Sequence, residues 1–254
     1  MSAGDGFPRV AVCGHVLTVC RMADVRGMLA RAIAGSDAPI ALATLNLDFL
    51  RLADESPPLH AALAAFTHRF ADGWPVVELA RRAGTVLPER VTGSDLTPMI
   101  CGWARESGWK LAFVGGSPAC EAALAQRMPR DFPGVLAGHW TPSYRAGADL
   151  RDPGLTAAIR ASGAQVLLVA LGCPKQEFWI RDNLVASGAR VAIGVGASLD
   201  FLAGTQRRAP RMWQRLRLEF LYRLLREPLR LGGRYWRDFW FYRRAKRQSA
   251  QRDA

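Results

Sequence analysis

A chain of 254 residues, half of them hydrophobic, is long enough to bury one large core or two small ones and too apolar for general disorder. Its formal charge is +12, yet no apolar run reaches the ~18 residues that a membrane-crossing helix needs, and Met1–Val19 lacks the basic leader of a secretory signal. Five scattered cysteines without Cys-x-x-Cys spacing and four histidines without a ligand pattern argue against a disulfide framework and a structural zinc site, and for reduced thiols in a cytosolic compartment.

In chain order, Val10–Val19 has the pattern of a short hairpin around Gly14-His15, and Ala23–Ala34 reads as an amphipathic helix. One grammar then recurs four times: an apolar strand, a Gly- or Asn-containing turn, a helix. Pro39–Asn46 leads into Leu47–Asp54, and Trp109–Val114 ends in Gly115-Gly116-Ser117-Pro118 before the helix Ala119–Met128. Ala164–Leu171 ends in Gly172-Cys173-Pro174 before a helix over Lys175–Ser187, and Arg190–Val195 ends in Gly196-Ala197-Ser198. Near-continuous apolar strands alternating with helices predict an α/β fold, a Rossmann-like, mostly parallel sheet flanked by helices. Further on, Trp213, Leu216, Phe220, Leu221 and Leu224 keep helical spacing until Pro228 stops it. Leu231-Gly232-Gly233-Arg234 then separates a second segment, Tyr235–Gln248. The expected division is a core over residues 1–204 and a basic, helical appendage over 205–254.

That appendage carries fifteen Lys/Arg against four Asp/Glu, a surplus of eleven, and nine aromatic residues. Cations interleaved with amphipathic rings suit an anionic surface with an apolar layer beneath it, which describes lipid headgroups and also nucleic acid.

In open parallel sheets, ligands bind beyond the carboxyl ends of the strands. Glycine in those turns lets the backbone approach a phosphate, and the following helix offers free N–H groups at its positive end. Gly115-Gly116-Ser117 and Gly172-Cys173-Pro174-Lys175 have this form. Neither Gly-x-Gly-x-x-Gly nor a P-loop motif occurs, which argues against nicotinamide and P-loop nucleotides, and no organic cofactor is expected. Three carboxylates occupy turns: Asp72 before Gly73, Asp95 after Thr92-Gly93-Ser94, and Asp200 after Gly196-Ala197-Ser198-Leu199. An Asp-Gly pair is often only a turn, and Thr/Ser-x-x-Asp is often a helix cap. No Asp-x-Asp pair is present, so no metal is expected at the site; arginines and helix ends would have to stabilise bound phosphates.

The fragments fall in a recognisable order. Thr44-Leu-Asn46, Ala71-Asp72-Gly73-x-Pro75-Val76-Val77 and Glu89-Arg90-Val91-Thr92-Gly93-Ser94-Asp95-Leu96 come first. Gly115-Gly116-Ser117-Pro118, Leu171-Gly172-x-Pro174-Lys175-Gln176-Glu177 and Gly194-Val195-Gly196-Ala197-x-x-Asp200 follow. Last come Ala203-Gly204-x-x-x-Arg208-Ala209-Pro210 and Leu218-Glu219-x-x-Tyr222-Arg223-Leu224-x-x-Glu227-Pro228-x-Arg230. From about residue 10 to about residue 235 the chain resembles the WecG/TagA/CpsF family of glycosyltransferases. The resemblance implies transfer of a sugar, commonly N-acetylmannosamine, from a UDP-sugar donor to a polyprenyl-diphosphate-linked sugar acceptor. Such transfer inverts the anomeric carbon without a metal, in an enzyme lying peripherally on the cytoplasmic face of the membrane and serving surface-polysaccharide assembly. It implies Asp72 as general base, Thr44 and Asn46 beside it, and Arg90 and Gln176 lining the pocket. Substrate binding would fall to Gly115, Gly116, Ser117, Gly172, Pro174, Lys175, Glu177, Gly196, Asp200, Arg208, Arg223 and Arg230. It also implies an anionic membrane surface as partner, and leaves a homo-oligomer completed by the tail as one of the open arrangements. Two departures stand out: Phe220 replaces a common Trp, and the segment beyond Arg234 follows no family pattern. The alternative from another class is a basic nucleic-acid-binding protein with an α/β core, disfavoured because the charge is confined to one end.

Overall fold

The structure, a computed structural model, describes residues 6–145, 147–210, 212–213, 216 and 218–250. It opens with a hairpin of β1 (Arg9–Val12) and β2 (His15–Thr18). The two-residue turn between them has positive φ at both Cys13 and Gly14, the geometry that matches strand twist. α1 (Met22–Ala34) leads to β3 (Ile40–Leu45), α2 (Leu47–Glu55), α3 (Pro57–Ala64), β4 (His68–Ala71), α4 (Trp74–Arg82) and α5 (Gly93–Ser107). There follow β5 (Leu111–Gly115), α6 (Pro118–Asp131), β6 (Leu136–Trp140), α7 (Pro153–Ala161), β7 (Val166–Ala170) and α8 (Lys175–Ser187). β8 (Val191–Gly194) and α9 (Ser198–Ala203) complete the sheet layer, and α10 (Glu219–Arg226) and α11 (Pro228–Ala250) end the chain.

Strands β3 to β8 form one sheet in the order β4-β3-β8-β7-β5-β6, and every pairing is parallel. The apolar strands supply both of its faces. Ala41, Ala43, Leu45, Leu167, Val169 and Ala192 point to a core shared with the hairpin, α2, α3, α4, α7, α8 and α11. Leu42, Leu111, Phe113, Leu168 and Ile193 point to the opposite core, built with α1, α5, α6 and α9. A sheet covered on both sides requires just such unbroken apolar runs, since alternate residues face different cores. The Rossmann-like α/β arrangement expected from the sequence is the one observed.

The two edge strands were not legible as apolar runs. β4 reads His-Arg-Phe-Ala, and its Arg69 spends its donors on the carbonyls of Val16 and Leu63. β6 contains Gly138 and His139 and is only half-buried along its length. Polar composition is what edge positions favour.

The tail also differs from expectation. Gly232 and Gly233 do not break the last helix; α11 runs through them, and Pro228 starts it at its first position, where a missing N–H costs nothing. Each glycine costs about 1 kcal/mol in a helix, and packing against α2 and α4 offsets that: Leu231, Asp238, Phe241 and Ala245 are all buried. The residues at helical spacing before Pro228 also divide: α10 begins only at Glu219, while the Leu218 N–H donates back to the Trp213 carbonyl. The main polar anchor is Arg51 on α2, 3 % exposed, which bonds Asp238 of α11 at 2.8 Å, Asp48 at 2.6 Å and Glu55 at 2.7 Å. Burial alone would lower this guanidinium, but its three carboxylate partners hold it above its ordinary value and keep it charged. Arg244–Asp54 and Arg234–Asp48 add pairs along the same seam.

Removing one side of a buried ion cluster leaves uncompensated charge. Arg51→Ala should therefore destabilise the chain by about 3–5 kcal/mol, and Asp238→Ala by less, since Arg51 then keeps two carboxylates. Urea unfolding midpoints of the two variants check the order; the reverse order contradicts it.

Candidate active site

The carboxyl edge of the sheet brings distant residues together at two places. The first lies where β3, β4 and β8 end. The Asp72 N–H donates to the Leu45 carbonyl at 2.8 Å, extending the ladder one residue beyond β4, and Gly73 then turns the chain at φ +106° into α4. The Asp72 carboxylate accepts the Gly93 N–H at 3.3 Å from the start of α5. Gly93 is tightly surrounded: a Cβ there would lie 3.2 Å from Thr44 Oγ1 and 3.3 Å from Ser198 Oγ. Thus the end of β3, the end of β4 and the starts of α5 and α9 converge around one half-buried carboxylate. Asn46, also at this edge, uses its side-chain oxygen to cap α2, accepting the Phe49 N–H at 3.1 Å.

Burial pushes the Asp72 carboxyl up to about 6; the Arg90 guanidinium and the Gly93 N–H oppose that shift, Glu219 adds to it and Arg223 opposes it. Arg90 lies 5.7 Å over the Trp74 ring. Glu219 and Arg223 come from α10, pair at 2.7 Å, and Arg223 also sits 5.5 Å over the Phe201 ring, so the tail contributes charges to this site.

The other two turn carboxylates have partners within the chain. Thr92 caps α5: its Oγ1 accepts the Asp95 N–H at 3.1 Å and donates to Asp95 Oδ2 at 2.7 Å. Arg208 clasps the same carboxylate with both guanidinium ends, tying the segment after α9 to α5. Burial raises the Asp95 carboxyl, but the Arg208 and Thr92 bonds bring it below its ordinary value. Asp200 accepts the Thr205 hydroxyl at 3.1 Å.

The second place is the crevice between β5 and β7, where the connections leave the sheet in opposite directions, as at the ligand crevices of open α/β sheets. A cavity of about 230 Å³ opens there beside Gly115, Gly116, Ser143, Tyr144, Leu171 and Lys175. Gly115, at φ +97°, presses so closely on β7 that a Cβ would lie 2.5 Å from the Ala170 oxygen. Ser117 caps α6 by accepting the Cys120 N–H at 3.1 Å. Lys175, in the first turn of α8 after the Gly172-Cys173-Pro174 turn, donates to the Tyr144 carbonyl at 3.0 Å. Ser143 and Tyr144 belong to no motif, so only the fold could reveal them.

Three further residues expected at the site are placed differently from those above. Gln176 and Glu177 are buried, the latter completely, behind the turn at Gly196. The Gln176 amide donates to Glu177 Oε1 at 2.7 Å and its oxygen accepts the Gly196 N–H at 3.2 Å. Burial raises the Glu177 carboxyl to about 7, against the Gln176 bond. Arg230 is exposed on α11 and pairs with Glu227. Gly93, Ser198 and Glu219 are the residues whose roles the sequence reading missed. All three stand inside its quoted fragments, but nothing in their spacing shows that they meet Thr44 and Asp72. Among the described residues, no three His, Cys, Asp or Glu side chains converge as a metal site would require.

The Asp72 shift has a stability consequence. A carboxyl raised above its usual 3.8 binds a proton more tightly folded than unfolded, so its charge costs stability above about pH 6 and the cost vanishes below about pH 4. Asp72→Asn should therefore melt higher than the parent near neutral pH, with the gap closing as pH falls through that window. Thermal unfolding across the range checks this; a constant or inverted gap contradicts it.

The Glycosyl transferase WecG/TagA/CpsF family matches residues 10–254, from the hairpin to the end of the chain, and so takes in both sites and the segment beyond Arg234 that the motifs alone left unassigned. With the motif order, the sheet and the whole-length match in agreement, the chain belongs to the WecG/TagA/CpsF family of glycosyltransferases.

Proposed function

We propose that this glycosyltransferase moves N-acetylmannosamine or a related hexose from a UDP-sugar to a polyprenyl-diphosphate-linked sugar, with inversion and without a metal, in surface-polysaccharide synthesis. The observation that carries the reading is Asp72: a carboxyl pushed up to about 6 that remains ionised at neutral pH, at the sheet's carboxyl edge. In the proposed reaction it takes the proton of the acceptor hydroxyl as that oxygen attacks the anomeric carbon from the face opposite UDP. The bond to the UDP oxygen breaks, and the departing diphosphate gathers negative charge. The N-termini of α6 and α8, the glycine turns and Lys175 offer N–H groups and a cation for that charge in the β5–β7 crevice.

The acceptor's lipid would require contact with a bilayer. No helix among the described residues is long and apolar enough to cross a membrane. α11 instead has two apolar faces. One is buried against α2 and α4; the other leaves Trp236 63 % exposed, with Phe239 and Trp240 beside it and Arg243 5.8 and 5.6 Å over their rings. Rings at headgroup depth flanked by cations suit peripheral attachment to the anionic inner face of the cell membrane.

Asp72→Asn keeps size and shape but cannot take a proton. UDP release with a polyprenyl-diphosphate-GlcNAc analogue, measured in EDTA, should fall roughly 10²–10⁴-fold with UDP-sugar affinity little changed; near-parental turnover removes Asp72 from the mechanism, and parental activity lost to EDTA and restored by magnesium refutes the metal-free reading. Replacing Trp236, Phe239 and Trp240 together by Ala should abolish cosedimentation with phosphatidylglycerol vesicles at physiological salt while leaving the melting temperature near the parent's. Undiminished vesicle binding, or a gel shift of single-stranded RNA stronger than vesicle binding, argues for a different surface or for the nucleic-acid reading.

A further inference from the structure

Glu177 is fully buried, and a buried carboxyl is costly: burial raises it to about 7, whereas a Met of similar volume would bear no such cost. Among the described residues its Oε2 has no nitrogen or oxygen partner, and the carboxyl's other side-chain partner is the Cys173 thiol, a weak donor. Its strongest hydrogen bond comes from the Gln176 amide, at 2.7 Å to Oε1. Of the two ways that amide can face, only one satisfies both of its neighbours. Glu177 Oε1 accepts, so the NH₂ end must face it; the Gly196 N–H donates, so the carbonyl end must face that. The sheet makes room for the pair at β8, where a Cβ on Gly194 would lie 2.8 Å from Gln176 Nε2 and 3.2 Å from Glu177 Oε1. Downstream, the turn fixed at Gly196 is closed by the Ser198 N–H on the Val195 carbonyl at 3.0 Å, and the Ser198 and Thr44 hydroxyls both crowd Gly93, whose N–H donates to Asp72.

We propose that Glu177 is a positioning residue: by accepting the Gln176 amide it points the Gln176 carbonyl at Gly196 and so sets the β8–α9 turn against Thr44, Gly93 and Asp72. The effect on catalysis rests on the reading of Asp72 as base; the effect on the turn does not. Protonation of Oε2 leaves Oε1 an acceptor, so the orientation holds in both charge states.

The test compares Glu177→Gln, which keeps an accepting oxygen, with Glu177→Met, which has none, in the full chain. Hydrogen–deuterium exchange without substrate should speed up over Gly194–Ser198 in the Met variant and stay at the parental rate in the Gln variant. In steady-state assays, kcat should fall about 10–100-fold for Met, with the KM for the UDP-sugar within about threefold, and Gln should restore most of kcat. Unchanged exchange in the Met variant overturns the proposal, whatever the activity. Equal loss of kcat in both variants also overturns it, because the charge and not the accepting oxygen would then matter. Altered exchange in Met with parental kcat retains the turn's dependence on Glu177 and rejects its coupling to Asp72. If the parent protein transfers no sugar, the assigned reaction fails while the exchange result still stands or falls alone.

Discussion

A carboxylate at the edge of the sheet receives the backbone N–H of Gly93 and loses much of its contact with water in the process. Most of the site's construction follows from that arrangement. To bring the Gly93 amide to Asp72, α5 must start where β3, β4 and α9 already crowd, and a Cβ at Gly93 would press on Thr44 Oγ1 and Ser198 Oγ. Arg90 and the Glu219–Arg223 pair then set the field around the carboxylate, with Arg90 and Arg223 lowering its pKa and Glu219 raising it. The net result is a group ionised at neutral pH but more basic than an ordinary aspartate, which is the compromise a general base needs. The same property makes the site a stability cost at neutral pH.

The edge therefore divides into two neighbourhoods. Around β3, β4 and β8 it gathers hydroxyls and a carboxylate; between β5 and β7 it gathers glycines, helix N-termini and a lysine. The first suits a proton transfer and the second suits an anion, and a sugar transferred from a nucleotide to a hydroxyl needs both. α8 links them physically, since its first turn supplies Lys175 to one neighbourhood and Gln176, through Gly196, to the other.

The last helix joins a buried seam to an exposed aromatic face. Its inner face is held by Phe241, Ala245 and the Arg51–Asp238 pair, and its outer face displays Trp236, Phe239 and Trp240. A rigid helix with rings on one side and a buried seam on the other would hold the catalytic edge at a fixed attitude to whatever surface the rings enter. α10 in turn ties this part of the chain to the site through Glu219 and Arg223.

The parallel sheet was legible in the sequence because four of its six strands are buried on both faces and must be continuously apolar, and the glycine turns were legible because the chain reverses there at positive φ. The ordered motifs carried the family and pointed to Asp72, Thr44 and Asn46 at one edge. What needed the tertiary structure is what depends on neighbours far apart in the chain. β4 and β6 are strands because of their position beside β3 and β5, although their polar residues hide them. Gly232 and Gly233 stay helical because α2 and α4 pack against the helix that contains them. Gln176 and Glu177 share a motif with Lys175, yet the turn of α8 sends Lys175 to a cavity and the other two into the interior. A sequence fixes which groups are available and their local backbone preferences; burial, and with it the basicity of Asp72 and the orientation of the Gln176 amide, exists only once the elements have packed.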